Sequence, residues 1–299
     1  MKFFNISLLI LLLASCASGG KTVQKLGGEE AEQIENLSNE DFKPKKQVRY
    51  NADADYHLIN DLVDDVLEDE SLDKVSKERL ESIDEKKTGL VGLCYLGNTK
   101  EGLAKLDSLY EKNKKNPAYW NQQGICSYKT GNKRLAKVYF NKAVALNSKY
   151  IPAINNIGVI SVDEGKDRKA IAAFKQVLLI KRNNKTAMFN LSNIYIKYGL
   201  YSKSTAMLKN LYRVNKKDRD VINSLVYSYL FDGKPKFAYT ILKEMNSDYF
   251  EIPSLKIALY YSLKQLKSEH AKRVREDIED MDLNAKDKTI FQQIKGLTI

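Results

Sequence analysis

Residues whose types suit chemistry are few and scattered in this chain. There are three cysteines, Cys16, Cys94 and Cys126, and two histidines, His57 and His270, which lie far apart in sequence. No cysteine or carboxylate stands at ligand spacing from either histidine, so a zinc-type donor set is not assembled locally. Glu276, Asp277, Glu279, Asp280 and Asp282 form an acidic cluster. Their spacing is not that of a calcium loop, and no glycine sits where such a loop turns, so the cluster reads as a solvated helical face. Neither G-x-S-x-G, nor H-E-x-x-H, nor a glycine-rich phosphate loop occurs. The sequence therefore gives no catalytic constellation, metal site or cofactor site. The expectation is a protein that is not an enzyme and takes no small-molecule substrate.

Cys16 stands apart from the other two cysteines. It follows a start with one lysine, Lys2, an apolar run from Ile6 to Ala14, and Ser15. The run is too short to span a bilayer and suits a secretory signal. Leu13-Ala14-Ser15-Cys16 resembles the lipobox of bacterial lipoproteins, in which cleavage precedes a cysteine that then receives acyl chains. That resemblance implies a signal peptide over 1–15 and lipidation at Cys16. It also implies a periplasm-facing anchor in the bacterial outer membrane, since no aspartate follows the cysteine. Residues 16–50 are polar, contain glycine and carry KPKK, a composition suited to a flexible tether. Export would permit a disulfide between Cys94 and Cys126. The plainer expectation is two separate small apolar residues on helices.

Charge divides the chain. The formal net charge is +11, but residues 51–85 sum to −10 and residues 86–299 to +20. Such asymmetry concerns partners more than fold. Export makes nucleic acid an improbable partner despite the basic body. Tyr56, Ile59, Leu62, Val63, Val66 and Leu67 fall at helical spacing. Residues 51–82 are therefore expected to form acidic N-terminal helices with solvated faces. The alternative is that Asp53–Glu70 folds back against the basic body and occupies it until a partner arrives.

Gly97, Gly131, Gly165, Gly199 and Gly233 recur every 34 residues, and a fixed period of that length signals a repeat architecture. Repeats begin at Ile83, Pro117, Ile151, Lys185 and Arg219. The eighth position (Leu90, Gly124, Gly158, Ser192, Val226) is mostly small. The twentieth (Gly102, Ala136, Ala170, Ser204, Ala238) is small throughout, and the twenty-fourth (Leu106, Phe140, Phe174, Leu208, Leu242) is large and apolar. Small residues facing large ones let paired helices interdigitate. The pattern resembles the tetratricopeptide repeat. It implies an all-α, helix–turn–helix solenoid, a right-handed superhelix of five to six repeats over 83–272, with a C-terminal capping helix over 273–299. After Ile252 the spacing is expected to slip by about one residue into a degenerate sixth unit.

The same resemblance assigns positions two, five, six, nine, twelve and thirteen to a concave groove formed by the first helices. The sixth position reads Thr88, Gln122, Asn156, Asn190 and Ser224. Amides donate and accept at once, which matches a peptide backbone. Gln122, Asn156, Asn190 and the nearby Asn193 are the candidate ladder. Lys87, Lys129 and Lys197 would steer acidic partners, and Tyr227 and Phe231 would add apolar anchors. The expected function is a membrane-anchored scaffold or assembly factor that binds other envelope proteins through this groove. The narrower alternatives are a type IV pilus or gliding-motility assembly lipoprotein, or an adaptor for peptidoglycan or another anionic polymer.

Overall fold

The computed structural model describes residues 99–297 together with Leu58 and Cys94. The expected signal segment, Cys16, the tether and Lys87 lie outside the described residues, as do the acidic helices apart from Leu58. The described residues are all-helical: α1 (Thr99–Ser108), α2 (Tyr110–Asn113), α3 (Pro117–Lys129), α4 (Lys133–Leu146), α5 (Ile151–Asp163), α6 (Asp167–Ile180), α7 (Lys185–Lys197), α8 (Tyr201–Val214), α9 (Arg219–Phe231), α10 (Pro235–Leu242), α11 (Pro253–Gln265), α12 (His270–Glu279) and α13 (Ala285–Gly296), with a 3-10 turn at Ser247–Glu251. They divide into two compact units, with the boundary between Leu191 and Ser192.

Local sequence sets the ends of these helices. Asn116 caps α3 by accepting from the Ala118 N–H at 3.0 Å, and Asp218 caps α9 by accepting from Asp220 and Val221, both at 3.1 Å. Each bond satisfies a donor that the first helical turn leaves without a partner. Pro117, Pro235 and Pro253 open their helices, where a missing N–H costs little.

In the first unit the core lies between the paired helices. Ile125, Ala136, Phe140, Ala143, Ala153, Ile157 and Ile160 form one buried cluster. The small and large columns meet as the spacing predicts. A Cβ built on Gly158 would fall 2.5 Å from Phe174 Cε1, and one on Gly124 would fall under 3.0 Å from three atoms of the Phe140 ring. Glycine is required there because the ring lies directly on the helix backbone.

The disulfide between Cys94 and Cys126 corrects the expectation of two separate residues. Their Cα atoms are 5.2 Å apart, and both side chains are buried with Leu106 and Tyr119. The pairing depends on how the segment carrying Cys94 packs against α3, which no local pattern reveals.

In the second unit the period holds longer than expected. The first helices start at Pro117, Ile151, Lys185, Arg219 and Pro253, an unbroken 34-residue step, so the slip falls inside the sixth hairpin, at the start of α12. Lys267 stands 34 residues after Gly233 and keeps the left-handed turn at φ 55°, where Gly131, Gly165, Gly199 and Gly233 have φ between 68° and 82°. The Ser268 N–H bonds back to the Leu263 carbonyl at 3.0 Å, matching the Lys166 to Ser161 bond beside Gly165. A lysine in this region is strained by roughly 1–2 kcal/mol, partly offset by the entropy that glycine would lose. Lys267→Gly is thus expected to raise folding stability by about 0.5–1 kcal/mol in chemical denaturation. A lower midpoint would show that the lysine side chain has a role of its own there.

The region expected as one capping helix from Arg273 contains the end of α12 and the whole of α13. Ile290, Phe291 and Ile294 of α13 are buried, with Phe291 edge-on to Tyr260 at 5.8 Å. Lys264 donates to the Ile294 and Lys295 carbonyls at 2.8 and 2.9 Å, neutralising the negative end of α13.

Candidate peptide-binding face

In the first unit the first helices carry a continuous row of side-chain amides. The Asn190 amide donates to Asn155 at 3.1 Å, Asn155 to Asn156 at 3.2 Å, and Asn156 to Asn121 at 3.0 Å. The row links α7, α5 and α3 in one donor direction. All four asparagines are fully buried, and Gln122 beside them is nearly so. Asn156 and Asn190, expected from the spacing as groove-lining side chains, are buried in this row and joined through Asn155. The spacing missed Asn121 and Asn155, which occupy the fifth position, and it did not foresee that the amides bond each other. Asparagine at the fifth position of two successive repeats, Asn121 and Asn155, was the available signal.

An apolar row runs alongside the amides. Ile125 and Val159 stand at the ninth position of their repeats, and both are fully buried. At the C-terminal ends of these helices lies an ionic cluster. Lys133 pairs with Asp163 at 2.7 Å, and the Tyr128 hydroxyl donates to the same carboxylate at 3.0 Å. Glu164 is held by Lys137 at 2.8 Å and Lys166 at 2.7 Å. Both carboxylate side chains are excluded from solvent while retaining cationic partners, the condition under which buried charge is tolerated. Lys129 is exposed at the edge of this face.

In the second unit Asn193 and Lys197 are partly buried on α7. Tyr227 and Phe231 are not open anchors. They are 5 % and 3 % exposed, their rings lie 5.7 Å apart, and the Tyr227 hydroxyl donates to the Ser254 carbonyl at 3.0 Å. Burial pushes the Tyr227 hydroxyl well above the usual tyrosine range, with Asp287 of α13 and Tyr261 adding to the effect. The correction has a simple cause. Tyr227 reaches Ser254 of α11 and Phe231 packs on Tyr201 of α8, while Lys264, at the twelfth position of α11, grips the end of α13. Aromatic residues that a longer array would present become core.

Among the described residues no helix is long and apolar enough to cross a membrane, and no group of three or more histidine, cysteine or acidic residues could hold a metal ion.

With this geometry in place, the Tetratricopeptide repeat family model matches residues 117–150 and 151–184, the hairpins α3–α4 and α5–α6. Residues 117–184 of the chain are tetratricopeptide repeats. Among solved structures it is similar to PilW, described as a widely conserved type IV pilus biogenesis factor. That match has a TM-score of 0.57 and 14% identity, covering 70% of this chain and 99% of that one. It is similar to Pseudomonas aeruginosa PilF, at TM-score 0.55 and 14% identity over 67% and 92% of the two chains. YrrB, described as a tetratricopeptide-repeat protein with an unusual peptide-binding site, aligns at TM-score 0.54 and 14% identity over 64% and 98%. At such identities the likeness concerns the fold. Comparison with curated proteins gives no match.

Proposed function

We propose that this protein is a scaffold that holds an extended segment of a partner protein on the first-helix face of its repeats. The observation that carries this reading is the amide row Asn190–Asn155–Asn156–Asn121 beside the apolar row Ile125–Val159. A peptide backbone needs alternating donors and acceptors, and a neighbouring apolar strip gives its side chains a place to bury. Bonds along the row fix the orientation of each amide, and the four side chains have no solvent exposure, so a partner's backbone reaches them only when the face opens. An interaction scaffold needs no catalytic group, which agrees with a sequence in which none is assembled.

The reading extends to the cell envelope. Lipidation at Cys16 would fix the protein to the outer membrane, a tether would give it reach, and tethering raises the effective concentration of membrane partners. The buried Cys94–Cys126 disulfide supports export, since such bonds persist in oxidising compartments. The likeness to two type IV pilus proteins favours a pilus or related motility assembly factor within this class. Cys16→Ser is expected to move the protein from the membrane fraction to the soluble fraction. Retention in the membrane would remove the lipid anchor from the proposal.

The scaffold reading is tested by capture from detergent-solubilised envelope with wild type and Asn156→Ala/Asn190→Ala. Because these asparagines are buried, circular dichroism must first show that the variant keeps its helical content. Loss of a specific envelope partner by a folded variant supports the reading. Unchanged capture that disappears at moderate salt assigns the work to the basic surface instead, and with it to anionic polymers.

A further inference from the structure

Helix α4 carries two apolar stripes. One is core: Ala136, Phe140 and Ala143 have no exposure. The other faces away from it. Leu135, Val138 and Leu146 are 37, 55 and 38 % exposed. With Tyr139 and Lys142 they fall within an arc of about 100° at the helical period, in a stripe about 16 Å long at the helical rise. Aromatic rings extend this stripe. Tyr139 lies 5.7 Å from Trp120, and Trp120 lies edge-on to Tyr110 at 6.1 Å. The Trp120 ring is half-buried, and its Nε1–H donates to the Lys114 carbonyl at 2.9 Å. The repeat itself does not require such a surface. Where α4 has Leu135 and Val138, the same positions hold Lys169 and Ala172 in α6, and Lys203 and Ala206 in α8.

Charge around the stripe narrows what it can meet. Residues 110–149 contain nine basic side chains and one acidic, Glu111. Arg134 and Lys142 are exposed on α4, and Lys149 is exposed just past its end. The Lys142 ammonium stands 5.9 Å from the Trp120 ring centre, and the Lys114 ammonium 5.9 Å from that of Tyr110. A second copy of this chain would bring like charges together. The stripe also lies on one open helix side rather than in a groove, so it offers no concavity to grip a peptide. Aliphatic side chains flanked by Trp, Tyr and long cationic side chains suit the boundary between acyl chains and charged headgroups.

We propose that the outer stripe of α4, with Trp120 and Tyr110, is a docking surface for an anionic lipid membrane. Leu135, Val138 and Leu146 enter the headgroup–acyl boundary, the aromatic rings lie at its polar edge, and Arg134, Lys142 and Lys149 pair with lipid phosphates. The surface is distinct from the amide row, in which every asparagine is buried. A lipid on Cys16 would tether the protein without orienting it, and this second contact would set which side faces the membrane.

Trp120 is the only tryptophan in the chain, so its emission reports on this surface directly. The full chain is mixed with vesicles of phosphatidylcholine and phosphatidylglycerol, or of phosphatidylcholine alone, with brominated acyl chains as quencher. In the anionic vesicles Trp120 emission is expected to fall by about half, since an interfacial helix sits roughly 5–10 Å into the boundary. Neutral vesicles or high salt should restore most of it. Leu135→Glu/Val138→Glu should abolish the quenching, with circular dichroism showing that helical content is kept. If it is not kept, Val138→Ser replaces the pair and is expected to weaken the quenching. No quenching by anionic vesicles, equal quenching by neutral ones, or equal quenching of wild type and a folded variant overturns the proposal. Protection of Trp120 from aqueous acrylamide that rises with protein concentration in the absence of vesicles assigns the stripe to a second copy and overturns it as well. Each of these failures leaves the Asn156→Ala/Asn190→Ala capture test, and the scaffold assignment, untouched.

Discussion

Phe140→Ala is expected to destabilise the protein by about 3–5 kcal/mol, the range for truncating a fully buried aromatic side chain. Phe140 has no solvent exposure, and Ile125, Ala136, Ala143, Ala153, Ile157 and Ile160 surround it in one cluster. These neighbours sit on three helices fixed by their own caps and hairpin turns, so the space left by the ring collapses poorly. The opposite change probes the same contact. Gly124→Ala places a methyl under 3.0 Å from the ring. Alanine's helix preference returns about 1 kcal/mol, but overpacking of this kind costs roughly 1–3 kcal/mol, so the net effect is a smaller loss. The two changes are coupled, because the alanine methyl enters the space the ring vacates. Gly124→Ala should therefore stabilise the Phe140→Ala background while destabilising wild type. A double-mutant cycle by urea denaturation reads this directly, and strict additivity would show that the glycine does not face the ring.

That contact was legible in the sequence, and the reason shows how far such reading extends. Within a hairpin, positions eight and twenty-four are close in sequence, and three of the five repeats restate their small-to-large pairing. Gly124 with Phe140 and Gly158 with Phe174 follow from the period alone. The sixth hairpin was harder to phase because Lys267 takes the left-handed turn without glycine, so a backbone conformation persists after its residue signature has gone. Half of the amide row was visible as a sixth-position column. Its other half, Asn121 and Asn155, and the bonds joining them depend on distances between successive repeats, which a column of letters does not contain. Tyr227 and Phe231 failed as open anchors for a non-local reason. They occupy groove positions, but Tyr227 bonds to Ser254 of α11, Phe231 packs on Tyr201 of α8, and α13 returns more than fifty residues later to meet α11. A repeat pattern predicts which way a side chain faces; what covers that face is decided elsewhere in the chain.

Removing the disulfide by Cys94→Ala/Cys126→Ala is expected to cost about 3–4 kcal/mol, close to the largest effect of any paired change. The bond closes a loop with a sequence separation of 32, and the loop-closure entropy it removes from the unfolded chain gives a value in that range. The entropic account is one description of the effect, but the direction is the same in calorimetric ones. The consequence should be local as well as global. Cys94 is the described point furthest upstream on any helix, and its partner lies on α3, the helix that also carries Asn121 and Gln122. Among the described residues, Cys94 meets α3 through the bond and a small apolar cluster with Leu106 and Tyr119. Urea unfolding of wild type and the double variant, each with and without reductant, separates cross-link from side chain. Both sulfurs are buried, so reductant acts when the chain opens and lowers the midpoint of wild type alone. If the double variant is destabilised and wild type ignores reductant, the loss comes from truncating two packed side chains, and the cross-link itself contributes nothing. If reductant brings wild type down to the variant, the bond is what holds the upstream segment against α3. The amide-bearing end of the face then depends on an oxidising compartment, which ties the stability of the binding surface to the export that the N-terminal sequence implies.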